Sequence, residues 1–387
     1  MENCIDVAVV GAGLVGTALA LGLSQRGFDV ELIERAPFLP GHDDDYDLRV
    51  YAIAPSAAAF LERLGVWPQV LAQRASAYTQ MQVWERERAS ALSFSAAELP
   101  APALGHIVEN SLLQRVLWHA LPAGVLRNAL AVQSAQSEGG VVRLQLSDGE
   151  ELYARLLVVA EGRDSALRAQ LGIEMLSGVY AQMAVVCHVQ TEQPHQGVAY
   201  QRFMPTGPLA FLPLADGRSS IVWSSSEAEA LLALDEEDFR RVLGEASQQV
   251  LGRIQTCTRR VRFPLALQHA ERYVAERAVL VGDAAHLVHP LAGQGVNLGF
   301  GDVEALIGLL AEARDAGRDF GAERLLKRYE RARRADVLDM IAVTDGLYRA
   351  YQLPLPGLAS LREVGLGLVK AAAPLRRELV RRAVGLR

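Results

Sequence analysis

Three cysteines, Cys4, Cys187 and Cys257, are all that 387 residues contain, and they stand far apart without Cys-x-x-Cys spacing. That scarcity excludes a disulfide framework and a thiolate zinc site, and it suits a reducing compartment. Excess positive charge is also missing: the net charge is −6 and the pI near 5.8, so no basic balance draws the chain to nucleic acid. Internal repeats and low-complexity tracts are absent. The one long uncharged run, Val7 to Ser24, is interrupted by Gly11, Gly13 and Gly16 and lacks the basic flank and cleavage site of a leader. It therefore reads as strand, turn and helix rather than as a membrane span, which places the chain in the cytoplasm. Half the residues are apolar and 22% charged, an ordinary globular balance. At this length one hydrophobic core is exceeded and two lobes are expected.

The beginning reads as a βαβ unit: strand Ile5–Val10, helix Leu14–Arg26 stopped by Gly27, strand Asp29–Glu34. An acidic loop, Asp43–Asp47, follows, then helical stretches around Ala57–Leu64 and Leu112–Leu121. Tyr78–Phe94 and Val185–Trp223 have a different texture, with short alternating segments and turn signals such as Thr206-Gly207-Pro208 and Asp216-Gly217, as in antiparallel sheet. Arg155–Ala160 and Arg277–Gly282 are apolar strands that lead into glycine-bearing loops, and the chain from Ala322 is helical and charged. The fold class expected is α/β, with a dinucleotide-binding lobe from residues 1–72, 106–175 and 272–345. A β-sheet substrate lobe (73–105 and 176–271) is inserted in it, and helices close the chain (346–387).

Gly11-Ala12-Gly13-Leu14-Val15-Gly16 opens a helix directly after a strand. Gly11 permits a tight turn, Gly13 a close approach of backbone to a pyrophosphate, and Gly16 close packing of helix on strand. The phosphates then meet the positive end of the helix. Glu34, with Arg35 after it, ends the second strand, where a carboxylate can accept hydrogen bonds from an adenosine ribose. A tight structural turn is the bland alternative, and the pattern fits FAD and NAD alike. A later segment discriminates: Val281-Gly282-Asp283-Ala284-Ala285-His286, then Pro290, then Gly293-Gln294-Gly295-Val296-Asn297. Asp283 at a strand end can hold a ribityl chain. Gly293 and Gly295 strip side chains from a loop that starts a helix, so that N–H groups can approach a flavin ring and stabilise negative charge on it when reduced.

These motifs resemble those of the flavin-dependent aromatic hydroxylases, the family of para-hydroxybenzoate hydroxylase, and within it the hydroxylases of ubiquinone biosynthesis. Asp47-Leu48-Arg49, Leu64-Gly65-Val66-Trp67, Arg74-Ala75-Ser76-Ala77-Tyr78, Gly105-His106-Ile107-Val108-Glu109-Asn110, Ala210-Phe211-Leu212-Pro213-Leu214 and Ser220-Ile221-Val222-Trp223 carry the resemblance along nearly the whole chain. It implies a Rossmann-like FAD lobe of the glutathione-reductase type, and FAD contacts from Arg49 and Asn110, with Pro290 in the loop before the flavin ring. It further implies NAD(P)H as a transient donor and O2 as co-substrate. The implied reaction is hydroxylation of a polyprenylated phenol, most closely at C5. C6 hydroxylation of the demethoxyquinol and a non-catalytic flavin-binding subunit are the alternatives, and a flavin reductase is a further rival. Read alone, Arg49 is an ordinary surface ion-pair residue and Asn110 an acceptable helix N-cap. One departure stands out: Glu161-Gly162 occupies the place of the family's Asp-Gly, and a purely structural turn there is a live alternative.

Other features read as structural. His286 and His289 lack a third metal ligand, Ser224–Ser226 shows no nucleophile elbow, and no Trp-x-Trp-x-Ile-Pro segment of a halogenase occurs. Phe203, Phe211 and Trp223 are core residues or pocket lining. The oxygen chemistry belongs to the cofactor, so no catalytic side chain is assigned. At the end of the chain Arg362, Lys370, Arg376, Arg377, Arg381, Arg382 and Arg387 face only Glu363 and Glu378, among apolar residues with helical spacing. A packed helix with a basic solvated face explains this, as does contact with the inner-membrane surface or with subunits of a biosynthetic complex. A homo-oligomer is left open.

Overall fold

The computed structural model describes residues 4–37, 46–98, 100–288 and 295–352. Strand β1 (Cys4–Val10) is followed by helix α1 (Leu14–Gln25) and strand β2 (Val30–Glu34). The helix ends as its sequence requires. Gly27 takes φ +77°, its N–H donates to Ser24 O, and Phe28 N–H donates to Leu23 O, which closes a Schellman turn.

The first sheet runs Val274–Ala275, Ala278–Leu280, Glu151–Val159, β1, β2, Leu126–Asn128, with Val141–Leu146 and Val132–Glu138 paired beyond Glu151–Val159. Its centre is parallel: Val7 lies beside Leu156 and Val30, and Leu157 beside Ala278. The middles of such strands are apolar because both faces are covered there. Val7, Ala8, Val9, Leu156, Leu157 and Val158 are all fully buried, beneath α1 and the helix Gly295–Asp315.

The second sheet has nine strands and is mostly antiparallel. Its spine, Met175–Thr191, pairs with Ser219–Ser225 on one side and Val261–Ala270 on the other. At its edge, His286–Leu287, directly after the glycine turn of the first sheet, pairs with Gln268 and His269. That pairing lays one lobe's loop against the other's sheet. A third small sheet joins β3 (Val50–Ile53) to Gly105–Glu109 and Ser76–Tyr78. Helix α2 (Pro55–Arg63) follows β3.

Several boundaries differ from those read in the sequence. The strand leading to Gly282 stops at Leu280, and Asp283 lies in a one-turn 3-10 helix, Gly282–Ala284, because Gly282 turns the chain at φ +60°. The same strand starts at Ala278, since Arg277 has φ +53°. Helix Asn110–Ala120 has Glu109 at its N-cap, so Asn110 is its first residue rather than its cap. Phe211 and Trp223 pack with Phe239 and Leu243 on the sheet face opposite Val222, which makes them core and not pocket lining. No helix among the described residues is long and apolar enough to cross a membrane. His289, Pro290, Gly293, Gln294 and the basic C-terminal stretch lie outside the described residues.

Candidate functional site

The glycine turn after β1 uses its three glycines in different ways. Gly11 has φ +105°, and a Cβ there would stand 2.4 Å from Ala160 O. At Gly16 a Cβ would stand 1.9 Å from Gly11 O, so helix and turn touch without room for a side chain. Gly13 has ordinary extended backbone (φ −68°, ψ −177°) and a Cβ would meet no atom of the described residues within 4 Å. Protein therefore explains two of the glycines, whereas the third faces space that something else can fill. Gly13 is also the N-cap of α1, and no side chain caps that end. Its exposed N–H groups and dipole favour an anion there.

The surrounding residues hold this turn. Ala12 N–H donates to Glu34 Oε2 at 2.8 Å, and Ala36 N–H to Glu34 Oε1 at 2.9 Å. Ala12 O accepts from Trp118 Nε1 at 2.8 Å, from Thr17 Oγ1 at 3.0 Å and from Gln114. A carboxylate has more lone pairs than two N–H groups consume, so Glu34 keeps capacity for ribose hydroxyls. Leu14 is buried in the core and Arg35 is exposed beside Glu34. Gln114 and Trp118, one helical turn apart on Asn110–Ala120, escaped the sequence reading. Their shared face was its only trace.

Val15 connects this turn to the second glycine loop. A Cβ on Gly282 would lie 3.2 Å from both Val15 methyls, and one on Gly299 would lie 2.6 Å from Cγ2. Gly282 N–H donates to Asp302 Oδ2 at 2.9 Å, and Arg168 Nη1 donates to Ala284 O at 3.1 Å. Asp302 is fully buried and also takes His286 Nε2 at 2.6 Å and Arg333 Nε at 2.7 Å. Burial pushes its carboxyl up, but His286 and Arg333 outweigh that and hold it below the usual range. Asp302 and Arg333 carry no local sequence signal, since they meet only when two helices pack.

Asp283 is part-buried at the tip of this turn. Burial raises its carboxyl above the ordinary value, against the pull of His286, Arg49 and Arg163. Arg49 is exposed, its guanidinium 5.3 Å over the Tyr51 ring. Asn110 N–H donates to Arg49 O at 2.9 Å, and Asp47 Oδ2 accepts from Ser111 N–H at 3.1 Å, so this loop is tied to the helix Asn110–Ala120. At the head of the helix Gly295–Asp315, a Cβ on Gly295 would meet no atom of the described residues within 4 Å, and Val296 is buried. Asn297 accepts from Ala54 N–H at 2.9 Å and donates to Ala52 O at 2.8 Å, which clips that helix to β3 and α2.

Glu161 has a structural partner set. Its Oε2 accepts from Ser165 Oγ at 2.6 Å and from Leu167 N–H at 3.1 Å, so it binds the start of helix Ala166–Gln170. Contacts through Ala12 and Val15 thus join Gly11–Gly16 to Glu34 at one end and to Gly282, Asp283 and the helix Gly295–Asp315 at the other, in one strip. The strip offers a helix N-terminus, acceptors at both ends and side-chain-free backbone between them. That donor and acceptor set fits a dinucleotide carrying a pyrophosphate and a polyol.

Known proteins point the same way. The model of the FAD binding domain family matches residues 4–344. The 3-demethoxyubiquinol 3-hydroxylase of Escherichia coli is 39% identical over 389 residues, covering 98% of this chain and 98% of its own. The mitochondrial ubiquinone biosynthesis monooxygenase COQ6 of Homo sapiens is 34% identical over 436 residues, covering 98% and 92%. Among solved structures, p-nitrophenol 4-monooxygenase PnpA from Pseudomonas putida DLL-E4 superposes with a TM-score of 0.80 at 19% identity over all of both chains, a likeness of fold.

Proposed function

Because the chain belongs to the FAD-dependent aromatic hydroxylases, in the group that serves ubiquinone biosynthesis, we propose that it adds one oxygen atom of O2 to the ring of a polyprenylated phenol or quinol, with NAD(P)H as transient donor. The observation that carries this reading is 39% identity to a ubiquinone-pathway hydroxylase along 98% of both chains, combined with a glycine turn at Gly13 that no side chain of the described residues caps. The position proposed first is C5 of the prenylphenol, on the likeness of Arg74–Tyr78 and Gly105–Asn110, and the second reading is the demethoxyquinol, the substrate named for the Escherichia coli relative.

FAD, when bound, supplies the redox and oxygen chemistry. The chain's own work is binding and placement. The first turn of α1 would hold the pyrophosphate, Glu34 the adenosine ribose and Asp283 the ribityl hydroxyls, with Arg49 on its loop and Asn110 at the head of the helix Asn110–Ala120 as further contacts. Asp302 holds Gly282 N–H and thereby the backbone angle at which Asp283 is presented. The apolar sheet face beside Leu48 excludes water from the ring.

The test is incubation of the FAD-reconstituted protein with NADH, labelled O2 and short-chain forms of both rings. One labelled oxygen atom in the product, with NADH consumed in step, is the expected result. NADH oxidation without labelled product would make the protein a flavin reductase, and a preparation that stays colourless with FAD would make it a scaffold subunit.

A further inference from the structure

The sheet face that meets Leu48 carries an apolar cluster, with Ala184, Val186 and Leu265 buried there and Val222 and Leu267 around them. Two pairs beyond Val186 and Val222, and so on the same face, the two strands set His188 directly opposite Ser220. Side chains two residues apart share a face, and opposed residues hold their Cβ atoms about 5 Å apart. His188 and Ser220 therefore form a polar spot at the end of an apolar floor.

Both are buried, at 1% and 0% exposure, and neither His188 Nε2 nor Ser220 Oγ has a hydrogen-bond partner among the described residues. Leaving buried polar atoms unpaired costs folding free energy, and two side by side suit a shared third group. The backbone at His188 is fixed, since its N–H donates to Thr258 Oγ1 and its O accepts from Thr258 N–H, both at 2.9 Å. Burial, then the Arg218 charge, lower the imidazole to about 4, so near neutral pH it offers one donor and one acceptor nitrogen. The Tyr46 ring stands edge-on to His188 at 6.2 Å between the guanidinium groups of Arg74 and Arg218. Tyr46 and Leu48 belong to the same loop as Arg49, whose charge acts on Asp283. The polar spot and the cofactor turn thus face one loop from two sides.

We propose that His188 and Ser220 together bind an oxygen substituent of the aromatic substrate, the apolar floor taking the ring and the start of its hydrocarbon tail. This rests on the reading of the chain as an aromatic hydroxylase. The pair selects phenols and quinols over rings without oxygen at that position, because a site built to hydrogen-bond a hydroxyl rejects an analogue that lacks it.

Equilibrium dialysis of the FAD-loaded protein against 2-prenylphenol and prenylbenzene tests the pair. Wild type is expected to bind the phenol about tenfold tighter or more, a difference of about 1.4 kcal/mol. His188→Leu and Ser220→Ala should each cut the ratio below roughly threefold, and His188→Gln, whose amide can still accept, should restore part of it. FAD affinity should be the same in all four proteins. Should His188→Leu fail to fold, Ser220→Ala and His188→Gln decide. A ratio that survives the substitutions, or a wild type that binds both probes equally because water occupies the spot, overturns the proposal and leaves the functional reading intact. A wild type that binds neither probe overturns both.

Discussion

Replacing Gly13 by valine separates a cofactor contact from a folding requirement. The backbone at Gly13 is extended and open to any residue, and an added Cβ meets no atom of the described residues within 4 Å. The apoprotein should therefore fold, losing no more than about 1 kcal/mol because glycine is a better N-cap than valine. The isopropyl group would occupy the space over the first turn of α1. If a pyrophosphate lies there, it must withdraw from at least two N–H groups, each charge-assisted bond contributing about 1.5–3 kcal/mol. The sum, roughly 3–6 kcal/mol, is a loss of about two to four orders of magnitude in FAD affinity. Gly16→Val is the contrasting control: its Cβ would lie 1.9 Å from Gly11 O, so it should damage the fold itself. Flavin fluorescence titration of apoprotein, beside urea melts of both variants, measures the two effects separately. Unchanged FAD affinity in a folded Gly13→Val protein would refute the placement of the cofactor along this strip.

Asp283→Ala removes the proposed ribityl acceptor and should weaken FAD by about 1–3 kcal/mol, roughly five- to 150-fold; a change under about twofold in titration would make Asp283 structural. Asp302→Asn withdraws the charge that buried Arg333 and His286 face, so urea unfolding should reveal a loss of roughly 3 kcal/mol, and an unchanged midpoint would contradict the role given to this network. Stability should also fall with acid. Burial lowers His188 and His269 to about 4, so between about 6.5 and 4 the unfolded chain binds protons that the native one excludes. Each histidine then costs up to about 2 kcal/mol between pH 7 and pH 5, all of it regained on return to neutral pH. Melting temperatures across that range should drop in wild type and drop less in His269→Gln; equal slopes would refute the burial argument.

Sequence alone determined the features whose physics is local. Gly27 after α1 must stop the helix because a positive φ is cheap only without a Cβ, and the Schellman turn is there. The mostly apolar run Ile5–Val10 implied a buried strand, and the spacing of Gly11, Gly13 and Gly16 implied a strand–turn–helix corner. What each glycine makes room for was a tertiary matter: Ala160 for Gly11, Val15 for Gly282 and Gly299, and open space for Gly13. Asp283 read as a strand end because its neighbours are apolar, yet a turn at Gly282 carries it beyond the strand. Glu161 read as a departure from the family's aspartate, with a structural turn as the alternative, and its carboxylate accepts from Ser165 Oγ and Leu167 N–H at the start of a helix. Asp302 with Arg333, Asn297 with Ala52, and His188 with Ser220 had no sequence signature at all. A side chain's φ preference and its periodicity act within a few residues and leave a pattern there. A pairing across two helices or two strands depends on sheet order and register, which the burial of the whole core sets, so only the folded chain decides it.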